Sequence, residues 1–248
     1  MSKKNRDTDR TARAAAAMAE QQAAERRRRN LMVGGVVLAV RVILVGGYFI
    51  SRSLDTTNDV SASSSSSTSE LGVTIGPDSA PHQVVIYEDF LCPYCGELEK
   101  ASREDLAKLA DEGKVQVEYR PFDLLGGGDE SSYSVRSAGA FSIVLANSGP
   151  EVAKKFHDLL YDNQPSEAGP FPESSELADL AVQAGAKESD VRDAIEADEG
   201  TPWVTKATKA AVSAGVQGTP TVLLDGKVFS DGRTMDELSQ NLVAQLQG

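Results

Sequence analysis

Two cysteines three positions apart, in the run Cys92-Pro93-Tyr94-Cys95, sit where an apolar strand pattern gives way to a helical one. They are the only cysteines in 248 residues, so at most one internal disulfide can form. A bridge closing so short a loop removes little entropy from the unfolded chain and would be a poor staple. The pair is better explained by chemistry than by stability. Zinc would normally need four ligands, and the chain adds only His82 and His157, without ligand spacing. Both histidines read as ordinary surface or core residues, and no metal site or prosthetic cofactor is expected.

A strand-to-helix junction suits thiol–disulfide exchange. With Cys92 at the helix N-cap, Pro93 takes the first helical position, where its missing N–H costs nothing. The free N–H groups of Tyr94 and Cys95 then point toward the Cys92 sulfur. They and the helix dipole favour a thiolate there. Cys92 becomes the attacking or attacked sulfur, and Cys95, one turn on and more buried, resolves the mixed disulfide.

The surrounding pattern is α/β. His82 to Phe90 reads as a strand, Pro93 to Glu112 as a helix and Val115 to Tyr119 as a second strand. Residues 129–216 are helical in pattern and are cut into four or five helices by Pro150, Pro165, Pro170, Pro172, Gly185 and Pro202. Thr201-Pro202 reads as a cap residue before a first-turn proline. Thr221 to Leu224, the turn Asp225-Gly226 and Lys227 to Phe229 read as a hairpin, and Thr234 to Leu246 as a closing helix. Pro220 opens an otherwise apolar strand and removes a ladder donor, which a cis peptide bond would account for. Trp203, the single tryptophan, lies on an insert helix and reads as a packing residue.

The N-terminal quarter has a different character. Residues 1–30 carry nine Lys/Arg against four Asp/Glu and end in four arginines, Arg26 to Arg29. Residues 31–50 are mostly apolar and would span roughly 30 Å as a helix, enough for a hydrocarbon core. The arginines before it put the N-terminus in the cytoplasm and the remainder outside. Arg41, at mid-span, costs roughly 2.5–3.5 kcal/mol, which twelve Leu, Ile, Val or Phe residues offset at about 0.3–0.6 kcal/mol each. A cleaved signal peptide is the competing reading, but no convincing small-residue cleavage site follows Ile50. Residues 51–71 include nine serines and read as a flexible tether with an end-to-end distance on the order of 25 Å. Residues 70–248 carry fourteen Lys/Arg against thirty-one Asp/Glu. A body so acidic should repel nucleic acid.

Three runs together carry a resemblance: Asp89-Phe90-Leu91-Cys92-Pro93-Tyr94-Cys95, the stretch from Phe156 to Gln164, and Val216-Gln217-Gly218-Thr219-Pro220-Thr221. In this order and spacing the chain resembles DsbA-like members of the thioredoxin superfamily, of the membrane-anchored kind found in Gram-positive and actinobacterial envelopes. The resemblance covers roughly residues 72–248. It implies a thioredoxin-like fold with an inserted helical domain, preceded here by one transmembrane helix and a flexible linker. It implies that Pro220 is a cis-proline facing the cysteines, and that Thr219 offers backbone groups to an extended substrate chain. The implied partners are exported proteins with thiols and a quinone-linked membrane protein that renews the disulfide.

Two departures from the family pattern stand out. Many relatives have a buried acid six residues before the first cysteine, where this chain has Ile86. Glu88, Asp89 or water would then serve as proton relay. Strongly oxidising relatives usually have His where Tyr94 stands, and Tyr94 supplies no cation, so a less oxidising poise is expected. The leading expectation is an extracytoplasmic oxidant. A reductase or isomerase using the same site is the alternative, and a chaperone-like binding module with incidental thiols is the reading from a different class.

Overall fold

The computed structural model describes residues 70–248. The basic tail, the apolar span and nearly all of the serine-rich tether lie outside the described residues. Among the described residues no helix is long and apolar enough to cross a membrane.

Five strands form one sheet in the order β1-β3-β2-β4-β5. They are β1 (Val73–Ile75), β2 (His82–Glu88), β3 (Val115–Pro121), β4 (Thr221–Leu224) and β5 (Lys227–Val228). Strands β2 and β3 run parallel, with Ile86 opposite Tyr119, and the other neighbours are antiparallel. Helix α1 (Pro93–Asp111) supplies the crossover between the parallel pair.

The central strand β2 is buried on both faces, which is why Val84 to Tyr87 form a continuous apolar run. Val84 and Ile86 join the core under α1 and the closing helix. Val85 and Tyr87 face the opposite way, onto Ala207, Ala211 and Val216. That alternation fixes which residues of β2 can approach the cysteines.

Between β3 and β4 the chain runs through α2 (Tyr133–Asp162), α3 (Ser174–Ala184), α4 (Glu188–Glu196) and α5 (Thr201–Ser213). Helix α2 is broken at Gly149, whose φ of 82° is open to glycine at little cost, and Pro150 starts its second half. After the hairpin, α6 (Met235–Gln247) packs beside α1, and the Thr234 hydroxyl caps it by accepting from the Glu237 N–H at 3.1 Å.

Three details differ from the sequence reading. Strand β1 was not anticipated, because three residues between Gly72 and Gly76 are too few to show a period. Strand β2 ends at Glu88 rather than Phe90, since Asp89 and Phe90 belong to the turn into the cysteines. Thr201 is not the cap of α5: Gly200 holds that position, and the Thr201 hydroxyl instead donates back to the Asp198 carbonyl at 2.9 Å.

Candidate active site

Cys92 holds the N-cap position of α1 in extended backbone, with Pro93 opening the helix. Its N–H donates to the Asp89 carbonyl, and its carbonyl accepts from the N–H groups of Cys95 and Gly96. Both cysteines are free thiols, with Cys92 5% and Cys95 2% exposed. Tyr94 between them is 59% exposed and forms the outer rim.

The peptide bond between Thr219 and Pro220 is cis. The Thr219 carbonyl accepts from the Cys92 thiol at 3.4 Å. Elements more than a hundred residues apart in sequence therefore meet at one sulfur.

The two thiols are pushed in opposite directions. Cys92 is lowered to about 6, first by its hydrogen bond with Cys95, with the Thr219 side chain and the Cys95 and Tyr94 N–H groups adding to it against the cost of burial. Cys95 is pushed well above its ordinary value, by burial first and then by the neighbouring Cys92 sulfur, with the Glu88 charge adding to it. The arrangement therefore holds one ready nucleophile and one thiol that keeps its proton.

Asp89 is fully buried, yet its carboxylate does not reach out as a free base. One oxygen accepts from the Leu91 N–H at 2.8 Å, and the other from the Leu124 and Leu125 N–H groups at 2.9 Å each. The carboxylate ties the turn before Cys92 to the loop after β3. Burial raises its pKa, and those same N–H groups oppose the rise.

Glu88 lies elsewhere. Two residues beyond Ile86 on β2, it shares Ile86's face. Both line a narrow cleft with Cys95, Leu98, Glu99 and Pro220. The strand thus carries an acid to the buried thiol two residues after Ile86. Burial raises the Glu88 pKa against the pull of His157, whose Nε2 lies 2.7 Å from the Glu88 carboxylate.

The insert supplies two further residues that sequence reasoning did not single out. His157, treated as an ordinary core or surface residue, is fully buried on α2 in contact with Glu88. Gln164, just past the end of α2, donates from its amide to the carbonyls of Phe90 and Cys92, at 2.9 Å each. Gly96 makes room for it: a Cβ there would lie 2.3 Å from the Gln164 side-chain oxygen. The only signal for either residue was the Phe156–Gln164 run, which carried the resemblance without saying what its polar members touch.

Gln164→Ala removes both bonds, each worth about 1 kcal/mol. The Cys92 carbonyl keeps its helix partners, so the loss falls mainly on Phe90. The expected result is a melting temperature lower by roughly 3–6 °C in thermal unfolding followed by circular dichroism. An unchanged melting temperature would mean the amide does not hold the turn.

Trp203 is partly buried in α5. Its indole N–H donates to the Glu70 carbonyl at 2.7 Å, and its ring lies 6.1 Å from that of Phe141, which in turn lies 6.0 Å from Phe90.

Comparison with known proteins places this geometry in company. A protein-family model described as Thioredoxin matches residues 68–244. The fold is similar to that of DsbA from Mycobacterium tuberculosis, at 29% identity and a TM-score of 0.60, over 71% of this chain and 91% of that one. It is similar to the disulfide bond oxidoreductase DsbG of the same organism, at 30% identity and a TM-score of 0.61, over 71% and 86%. In sequence, the chain is 31% identical over 159 residues to the serine/threonine-protein kinase PknE of Mycobacterium tuberculosis. That match takes in 61% of this chain but only 28% of the kinase.

Proposed function

Since the chain belongs to the thioredoxin family and its described residues are DsbA-like in fold, we propose that it is a thiol–disulfide oxidoreductase that oxidises exported proteins outside the cytoplasm. The observation that carries this reading is the opposed pair of thiols, Cys92 lowered to about 6 and Cys95 raised, at a helix N-terminus beside the Thr219–Pro220 peptide.

In the oxidised enzyme a substrate thiolate attacks Cys92 and the Cys92–Cys95 bond breaks. The bonding pair leaves on Cys95, which takes up a proton because its site disfavours charge. A second substrate thiolate attacks the substrate sulfur of the mixed disulfide, and Cys92 leaves as a stable thiolate. The substrate departs with a disulfide and the enzyme holds two thiols. An extended substrate chain beside Cys92 pairs with the Thr219 backbone, so main-chain bonds bind and sequence matters little. Glu88 is the acid placed to exchange a proton with Cys95. Asp89 keeps the turn in shape.

Residues 31–50 serve in this reading as a single-pass anchor with the N-terminus in the cytoplasm, residues 51–71 as its tether, and a quinone-linked membrane protein restores the disulfide. Tyr94 favours a second reading. A neutral, exposed ring beside Cys92 adds no positive charge to hold the thiolate, which suits a reductase or isomerase kept reduced by a membrane donor.

The reduction potential decides between them. The full-length chain is equilibrated with glutathione redox buffers and its thiols are counted by alkylation. A value above about −180 mV, that of protein disulfide isomerase, is expected. A value near thioredoxin's, about −270 mV, would move the assignment to a reductase.

A further inference from the structure

Behind the cysteines lies a buried chain of ionisable groups that disulfide exchange by two thiols does not by itself require. Glu88, in the cleft with Cys95, meets His157 Nε2 at 2.7 Å. The other ring nitrogen, His157 Nδ1, lies 3.0 Å from Asp158 Oδ1. Asp158 is 26% exposed and so reaches water. An imidazolium between two carboxylates, one beside a buried thiol and one at the surface, can release its Nε2 proton toward the thiol while Nδ1 keeps its own.

We propose that His157, held by Asp158, supplies through Glu88 the proton that the buried thiol Cys95 takes up. This rests on the thiol-exchange reading above. When a substrate thiolate attacks Cys92, the bonding pair of the disulfide leaves on Cys95. The Nε2 of the His157 imidazolium gives its proton to Glu88, which passes one to Cys95. That leaves a neutral ring whose other proton stays on Nδ1, beside Asp158. When the disulfide is renewed, the same proton leaves by the reverse path. Cys92 needs no such delivery, since it departs as a stable thiolate.

The surroundings keep the ring loaded. On the side of β2 it faces Glu88; from α1 come Glu99, 3.6 Å from Nδ1, and Arg103, which pairs with Glu99 and lies 3.7 Å from Asp158. From β3 the Tyr119 ring lies 4.7 Å away, and from α2 itself Lys154, Asp158 and Tyr161 close the shell. Burial and Lys154 disfavour an imidazolium, but Glu88 and Glu99 outweigh them and raise His157 to about 9. Lys154 and Arg103 already neutralise Glu99 and Asp158, so the cluster is a charge network rather than an empty cation site.

The test uses the oxidised full-length chain and glutathione. The rate of reduction is followed by rapid acid quench and alkylation from about pH 6 to about pH 9 and is corrected for the glutathione thiolate present at each pH. With the relay, the corrected rate stays level until His157 loses its proton near 9. In His157→Gln the amide can still bond Glu88 but cannot pass a proton. Its corrected rate should fall roughly tenfold or more at neutral pH, the lower range for general acid–base help, and should keep falling as pH rises. Asp158→Asn should show the same slope, and it keeps the test open should His157→Gln fail to fold. A role limited to packing would lower the melting temperature without bending this profile. Parent-like profiles in the folded variants, with exchange intact in the parent, would overturn the relay and leave the oxidoreductase standing. A parent that glutathione cannot reduce would overturn both.

Discussion

Cys92→Ser abolishes disulfide exchange, while Cys95→Ser leaves a protein that captures substrates and does not release them. Both follow from the opposed ionisation of the two sulfurs. A serine at residue 92 cannot form or receive a disulfide, so turnover should drop to the background rate of glutathione alone. With Cys95 replaced, Cys92 stays a thiolate at neutral pH and still attacks a disulfide. The mixed disulfide then has no resolving thiol and persists until an outside thiol arrives. Non-reducing gels of the two variants, mixed with a disulfide-bearing peptide, distinguish the roles: an adduct for Cys95→Ser and none for Cys92→Ser. Adducts on Cys95 in the Cys92→Ser protein would reverse the assignment. Full function in Cys92→Ser would leave only the binding module.

The same ionisation sets a scale for the redox poise. A thiol lowered from its ordinary 9.0 to about 6 is nine-tenths ionised at pH 7. Alkylation of Cys92 should therefore rise with a midpoint near pH 6, while Cys95 stays unreactive. Ionisation stabilises the reduced form by at most about 1.4 kcal/mol at pH 7, and partial solvent contact reduces that. For a two-electron couple this is about 30 mV toward a stronger oxidant. The Cys95 shift adds nothing at that pH, because a thiol with a raised pKa is neutral either way. The sign is that of a depressed acid: the reduced fold gains stability above its unfolded pKa and loses the gain as pH falls through about 6. A contribution of this size covers only about a third of the roughly 90 mV between thioredoxin and protein disulfide isomerase, and the exposed Tyr94 adds no positive charge to it.

The parts of this site that can be read in the sequence are those a local pattern carries. Strand, Cys-Pro-Tyr-Cys and helix follow one another within about thirty residues, so cap chemistry and periodicity suffice. The hairpin announces itself by Asp225-Gly226, and the helix break by Pro150. Pro220 is legible because a proline at the start of an apolar strand breaks a rule. The contacts between Glu88 and His157 and between Cys92 and Gln164 join residues about seventy positions apart. No local pattern encodes which face of the insert turns toward the sheet. Glu88 itself is readable in hindsight, since it shares a strand face with Ile86 by the two-residue period. Asp89 is the opposite case: its position suggested proton transfer, and only the fold reveals three backbone N–H groups converging on it.

Asp89→Ala should cost more stability than any other single change near the cysteines. The carboxylate holds Leu91, directly before Cys92, and Leu124 and Leu125, on the loop after β3. Hydrogen bonds to a charged acceptor are worth about 1.5–3 kcal/mol each. Water can replace the bond at Leu125, which is exposed, but Leu91 is buried and its N–H would be stranded at a cost of about 1–3 kcal/mol. The net loss should be roughly 2–4 kcal/mol, which for a domain of this size lowers the melting temperature by about 5–15 °C. Asp89→Asn should not rescue it, because its amide nitrogen would turn a donor toward N–H groups that need an acceptor. Exchange measured well below the melting temperature separates the two roles left open by the sequence. If Asp89 works through the shape of the turn, the folded variant still cycles and its corrected rate keeps the parent's pH profile. A bent profile with a parent-like melting temperature would make Asp89 the proton carrier and displace Glu88.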